Sequence, residues 1–413
     1  MNLAKEIEQH LPSQLLELVK DISRQAAKQG QRVYLVGGIV RDTLLGYPNF
    51  DLDLVVEGDA VKLAQQVAKA GGAKLLAHHR FGTAKLKYEN FTLDLATARK
   101  ETYARPGALP AVTFGTLGDD LIRRDFSINA MAVSLVLNDY GELIDPYQGK
   151  NDLEQGLIRI LHPKSFSDDA TRILRGVRYE QRFGFRFEAQ TAWLLKRDIP
   201  MLNTISGDRI RHELELVFKE KQPELAINRL GELGALPRIS PPLTGNGWLA
   251  EKFDKARRLK KPAQLPSLYF CLLVYSFSEK DVEQFLARLN IPAKLSRAMR
   301  DTLRLKTELP HLDKAARKPS EIYYLLREYE PLAIQANAIA TDSTMIHRSL
   351  QLFLTKLRYV RTSLDGEELK KLGISPTRQM GRILEILHKA KLDGEVSTKE
   401  DERKLARSLS LKL

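Results

Sequence analysis

Phe50-Asp51-Leu52-Asp53-Leu54-Val55-Val56 decides how the amino-terminal part of this chain is read. Successive side chains of an extended strand alternate between faces, so Asp51 and Asp53 project to one side while Leu52, Leu54 and Val56 project to the other. Two carboxylates converging on one point suit hard divalent cations such as Mg²⁺, which can activate a hydroxyl and neutralise a transferring phosphate. A solvated acidic face on an edge strand has the same spacing, so the pair acquires meaning only from its neighbours.

Just upstream stands Tyr34-Leu35-Val36-Gly37-Gly38-Ile39-Val40-Arg41-Asp42. Val33 to Val36 reads as a buried strand. Gly37 and Gly38 let the backbone approach a phosphate closely before a helix begins near Ile39, with backbone amides and Arg41 facing the anion. Tight turns also use glycine for steric reasons alone. Joined to the Asp-x-Asp strand, however, the glycine turn resembles the nucleotidyltransferase superfamily signature.

Apolar periodicity from 13 to 29 predicts an amphipathic helix, and Asp59 starts another through about Ala70, closed by Gly71-Gly72. Lys74 to Ala77, Thr83 to Tyr88 and Phe91 to Ala96 read as strands, with Glu89-Asn90 as a hairpin turn, giving a mixed α/β sheet. Asp94, between Leu93 and Leu95, would be a third carboxylate if its strand lay beside the Asp-x-Asp strand; otherwise it is a solvated acid. From Arg99 to Leu121, Pro106, Gly107, Pro110, Gly115 and Gly118 break any period and suggest a long loop. Arg123-Arg124-Asp125-Phe126-Ser127-Ile128-Asn129 reads as a helix start capped by Ser127 or Asp125. Its charges and Asn129 could hold a triphosphate and ribose or simply form a salt-bridged cap. Val133 to Ile144 reads as a hairpin.

The ordered set Val36 to Asp42, Asp51-Leu52-Asp53 and Arg123 to Met131 resembles the class II tRNA nucleotidyltransferase and bacterial poly(A) polymerase family. The resemblance continues through Asp145 to Gly149, a hinge in the family, and through Phe166-Ser167-Asp168-Asp169-Ala170-Thr171-Arg172-Ile173-Leu174-Arg175-Gly176-Val177-Arg178. Read from the residues, the latter is a helix start with acids in its first turn and Arg172, Arg175 and Arg178 on one face, a pattern that a wet basic stripe also satisfies. The resemblance implies more: Asp169 and Arg172 imitate a template base, and Arg175 and Arg178 neutralise triphosphate or primer. The family usually has Glu-Asp-Pro where this chain has Asp168-Asp169-Ala170, a departure that bears on the geometry at the helix entry. Ile205 to Leu214 resembles a motif that braces the family's neck, and Leu364 to Ile374 resembles its tail motif.

The resemblance implies an α/β nucleotidyltransferase head with a mixed sheet (1–145), followed by an all-helical neck (146–220), body (221–330) and tail (331–413). It implies catalysis by Asp51, Asp53 and Asp94, with Mg²⁺ on Asp51 and Asp53. Nucleotide binding would fall to Gly37, Gly38, Arg41, Arg124, Asp125, Asn129, Asp168, Asp169, Arg172, Arg175 and Arg178. The partners would be the tRNA 3′ end, ATP and CTP. Within the family that the chain resembles, its pattern implies complete CCA addition, with A-only addition as runner-up and poly(A) synthesis behind it. A catalytically silent RNA-binding protein is the reading from another class, disfavoured because paired carboxylates repel RNA.

Composition agrees. Lys plus Arg number 65 against 52 Asp plus Glu, a net charge of +13 over 413 residues, which favours a polyanionic partner. The apolar run from Leu268 to Phe277 is too short to span a bilayer, and no targeting segment is evident. Cys271 is the single cysteine, which suits a reducing cytosol, and the eight histidines show no zinc spacing. Basic residues at Lys252, Lys255, Arg257, Arg258, Lys260 and Lys261, and at Arg297, Arg300 and Arg304, are candidate phosphate contacts for RNA.

Overall fold

Strand β1 (Arg32–Val36) is buried along almost its whole length and is flanked on both sides. It pairs antiparallel with β2 (Leu52–Glu57), placing Leu35 opposite Leu54 and Val33 opposite Val56. The sheet also contains β3 (Lys74–His78), β4 (Thr83–Lys87) and β5 (Thr92–Thr97). Next in the chain come β6 (Arg99–Thr102) and β7 (Ala111–Phe114), which form a separate two-stranded ribbon. Strands β8 (Ala132–Ser134) and β9 (Leu143–Ile144) complete a seven-stranded sheet of order β3-β4-β5-β2-β1-β8-β9. All neighbours are antiparallel except β2 and β5, which run parallel, so the sheet is mixed as expected.

This computed structural model describes residues 1–411 except 90, 106, 109, 260–263, 313–316 and 376–377. The expected turn residue Asn90, the loop residue Pro106 and the basic residues Lys260 and Lys261 therefore lie outside the described residues.

Alternation along β2 sorts the two faces of the sheet. Leu52, Leu54 and Val56 are at most 1% exposed, on the side covered by helices α2 (Ser13–Ala27) and α4 (Ala60–Gly71). Asp59 caps α4 by accepting from the Lys62 amide, and Gly72 ends it in the left-handed conformation. Val55, on the aspartate face, packs with Tyr34, Val36, Ala98, Ala132, Leu117 and Leu121. Leu117 and Leu121 belong to a short helix, α5 (Leu117–Ile122), which carries the chain straight into Arg123-Arg124-Asp125.

Three expectations are corrected here. The segment from Arg99 to Leu121 is not an unstructured loop: it folds into the β6–β7 ribbon and α5, held by cross-strand bonds that its Pro- and Gly-bearing sequence does not announce. Ser127 and Asp125 do not cap an α-helix; Ser127–Asn129 is a single 3₁₀ turn. The acids before the arginine stripe are not in the first turn of its helix. A short helix (Ser165–Asp168) stops at Asp169, which is extended (φ −144°, ψ 96°), and the helix bearing Arg172, Arg175 and Arg178 is Thr171–Phe183. Asp169 bonds the Thr171 amide and hydroxyl, a local alternative to helix that short acidic side chains favour.

By compactness the chain divides into two units, Met1–Val217 with Arg229–Ile239, and Phe218–Asn228 with Ser240–Leu413. In the second unit every described element is helical, and its cores include Leu305, Leu326, Ile334, Leu350 and Phe353, and farther on Leu364, Leu369, Ile383 and Leu387. Its basic residues are extensively ion-paired: Lys255 with Glu251, Arg257 with Glu224, Arg258 with Asp254 and Arg300 with Glu283. Lys252 is only 1% exposed, with Asp342 3.1 Å from its Nζ, so it is an interior residue and not part of a surface stripe.

Within the first unit the close approach of helix Thr171–Phe183 depends on Gly176. A Cβ there would lie 2.8 Å from both the Phe126 and the Phe187 rings. We expect Gly176→Ala to cost about 1–3 kcal/mol by overpacking. The exposed Gly247, where a Cβ would meet nothing within 4 Å, serves as control, with a change from Gly247→Ala within about 0.5 kcal/mol. Urea unfolding of both variants against the parent checks this.

Candidate active site

The parallel register of β2 and β5 sets Asp53 directly beside Asp94. Asp51 precedes β2 by one residue, its amide held by the Asn49 side chain at 2.8 Å. Sequence alternation thus puts Asp51 and Asp53 on one face, and tertiary pairing brings Asp94 alongside. The structure answers this negative charge with two cations. Lys85, cross-strand from Asp94, places Nζ 2.8 Å from Asp94 Oδ2. Arg124 arrives from the end of α5 and holds the Asp53 carboxyl down in part.

Burial is the main reason the Asp53 carboxyl is pushed up to about 6, with Asp51 and then Asp94 adding repulsion against the pull of Arg124. Asp53 keeps an open path to solvent although protein atoms crowd its carboxyl, so water screens part of that penalty. A carboxylate that resists ionisation beside two others is a site that gains from a divalent cation. Among the described residues no three His, Cys, Asp or Glu side chains form a ready-made cage. Mg²⁺ does not need one: it retains waters and is typically bound by one or two carboxylates plus substrate phosphates, so the donor set of Asp51 and Asp53 fits it.

The glycine turn follows β1, beside the start of β2. Gly37 has φ +74°, a backbone region that favours glycine, and the Arg124 guanidinium lies 2.8 Å from where a Cβ would stand. Gly38 opens helix α3 (Gly38–Leu44). Arg124 is fixed by Asp120, which is fully buried and bonds Arg124 at 2.9 Å through one oxygen and Arg123 through the other. Asp120 was missed from sequence, although its three- and four-residue spacing to Arg123 and Arg124 is a readable helical pair.

Arg41, expected to face the anion, turns inward. It is 4% exposed, bonds Asp42 at 2.8 Å and Asn129 at 2.6 Å, and lies over the Tyr179 and Phe183 rings. Asn129 in turn donates to Asp125 at 2.9 Å, and Asp125 takes two bonds from Arg175, at 2.9 and 2.7 Å. Glu213 stands 3.5 Å from the same Arg175. Asp42, Arg41, Asn129, Asp125, Arg175 and Glu213 therefore form one continuous polar chain. Burial alone would raise the Asp125 carboxyl, but Arg175 and Asn129 outweigh it and hold it at about 2.

The arginine stripe is not a wet face. Arg172 and Arg178 are 5% and 6% exposed. Arg172 donates to the backbone carbonyls of Arg123 at 2.6 Å and Ser165 at 3.3 Å, which ties it to the Arg-Arg-Asp turn. Arg178 stacks on Tyr179. Asp169 has one oxygen bound by Thr171 and the other 2.6 Å from Arg209, and Asp168 lies next to it, partly buried, at the end of its short helix. Arg209 and Glu213 sit four residues apart on one helix, Gly207–Val217, one serving Asp169 and the other Arg175. The sequence reading gave this helix a purely bracing role and overlooked both contacts.

Known proteins resemble this chain along most of its length. Residues 33–159 match the family model described as the poly A polymerase head domain, and residues 184–245 match one described as a probable RNA and SrmB-binding site of polymerase A. An A-adding tRNA nucleotidyltransferase of Halalkalibacterium halodurans is 35% identical over 98% of this chain and 95% of its own length. One from Geobacter sulfurreducens is 34% identical over 96% of this chain, which spans about half (47%) of that protein's length. Among solved structures, a CCA-adding enzyme in an apo form is 30% identical with a TM-score of 0.83, covering 100% of this chain and 99% of its own.

The raised Asp53 carboxyl has a sign. Its folded value of about 6 lies above the ordinary 3.8, so its favourable contribution is complete below pH 4 and is lost as pH rises through 6. With solvent screening allowed for, Asp53→Asn should stabilise the protein at pH 7–8 in chelator by up to about 1 kcal/mol. The gain should vanish near pH 4; thermal melts across that range measure it.

Proposed function

The chain belongs to the tRNA nucleotidyltransferase family with a poly(A)-polymerase-type head, and on that premise we propose that it extends the 3′ end of tRNA, adding the terminal adenosine to CC-ended molecules. The observation that carries the chemistry is the parallel register that sets Asp94 beside Asp53, with Arg124 against the glycine turn that follows β1. The A-adding relative that covers almost the whole chain supports the single-nucleotide reading. Complete CCA addition is the second reading, supported by the full-length likeness to a CCA-adding enzyme.

In this reading the 3′ hydroxyl of the RNA attacks the α-phosphate of ATP, a new P–O bond forms, and pyrophosphate leaves. Asp51 and Asp53 hold Mg²⁺, which when bound supplies charge neutralisation at the transferring phosphate and acidifies the attacking hydroxyl. In this reading Asp94 takes the hydroxyl proton. The triphosphate would lie along the Gly37-Gly38 turn, where Arg124 offers positive charge, while Arg175, already bound to Asp125, acts through that pair. Asp169 and Arg172 select the base: the carboxylate accepts from an exocyclic amine and the guanidinium donates to a ring acceptor. Their rigidity comes from Arg209, Thr171 and the Arg123 carbonyl, so the pair is pre-set before nucleotide arrives. Arg41 and Asn129 act from inside, orienting Asp125.

Three tRNA transcripts test this: one ending at the discriminator base, one after a first cytidine and one after both, each given Mg²⁺ and the nucleoside triphosphates singly and together. A single A added only to the CC-ended transcript is expected. CCA built on the bare transcript would establish the second reading. Asp53→Ala should lower kcat/KM by about a thousandfold, the scale of several kcal/mol of cation stabilisation, while a gel shift shows tRNA still bound. Undiminished transfer by this variant would overturn the assignment.

A further inference from the structure

Lys85 has no part in the chemistry described above, yet it forms an ion pair with the third carboxylate. It faces Asp94 across the β4–β5 pairing, with Nζ 2.8 Å from Asp94 Oδ2. Both side chains are only partly covered, 39% and 35% exposed, so the ammonium can swing away on its flexible stem without opening the core. Asp94, though abreast of Asp53, has this oxygen committed to Lys85, and the described carboxylates do not close into a cage. Three acids on neighbouring strands repel one another, and a lysine beside them offsets that repulsion while no cation is bound.

We infer that Lys85 is a positioning residue that occupies Asp94 in the cation-free protein and gives it up when a divalent cation loads with the nucleotide. This rests on the reading of Asp51 and Asp53 as cation ligands with Asp94 beside them. Lys85 then sets the cation requirement: it weakens loading of a bare cation and leaves intact loading together with a triphosphate, whose phosphate oxygens complete the coordination. The substrate class and the reaction are unchanged; what Lys85 controls is the order of entry.

Mn²⁺ binding followed by electron paramagnetic resonance tests this apart from turnover. Lys85→Gln should tighten Mn²⁺ binding to the nucleotide-free protein about two- to fivefold, the scale of a partly exposed ion pair. Lys85→Arg should stay at the parental value. In an Asp94→Asn background, Lys85→Gln should add nothing, because the group it frees is gone. With a non-hydrolysable ATP analogue present, the parent and Lys85→Gln should converge. An unchanged Mn²⁺ affinity in Lys85→Gln, or equal tightening with and without Asp94, would overturn the inference, the latter showing only a diffuse charge effect. Asp51→Asn and Asp53→Asn read the premise separately: if neither weakens Mn²⁺ binding, the assignment of the cation ligands fails, whatever Lys85 does.

Discussion

Repulsion among carboxylates is the constraint on which this site depends. Parallel pairing of β2 with β5 forces Asp53 and Asp94 abreast, with Asp51 one step away. Nothing in strand stability asks for that arrangement, since like charges side by side on a sheet cost free energy. The fold tolerates it by bringing Lys85 in from the neighbouring strand and Arg124 from the end of α5. Arg124 is itself aimed by a buried Asp120, so the cluster is stabilised in layers, each charge answered by one farther from the reacting centre.

The second layer runs through the interior. Arg41, Asn129, Asp125 and Arg175 link the glycine turn, the Arg-Arg-Asp turn and the arginine helix by direct hydrogen bonds. Buried charges of this kind are weak arguments for stability, because desolvation consumes much of the Coulomb gain. Their value here is geometric. Arg172 reaches the backbone of Arg123, so it is tied to the turn that carries Arg124, and Arg209 holds Asp169. Small misplacements matter in transfer reactions, where reactant orientation supplies much of the rate.

The helical unit tells a different story. Its arginines and lysines read from sequence as phosphate contacts, yet they are engaged with Glu224, Glu251, Asp254, Glu283, Asp301 and Glu330. Exposed pairs such as Arg300 with Glu283 are worth little in water and exchange readily for a polyanion. The net charge of +13 is consistent with a nucleic-acid partner, while these pairs hold side chains in place on the helical surfaces. Among the described residues no helix is long and apolar enough to cross a membrane.

The sequence by itself determined the local pattern: alternation that puts Asp51 and Asp53 on one face, a glycine pair between strand and helix, a capped helix at Asp59, and a run of arginines at helical spacing. These are properties of neighbouring residues, fixed by backbone period and sterics, and the structure retains them. What tertiary structure alone decided is which distant groups meet. The place of Asp94 beside Asp53, the ammonium of Lys85 on Asp94, the inward turn of Arg41, the burial of Arg172 and Arg178, and the service of Arg209 and Glu213 to the arginine helix depend on strand order, register and helix packing. A charge looks the same in sequence whether water or another charge satisfies it; only burial and pairing across the fold distinguish the two.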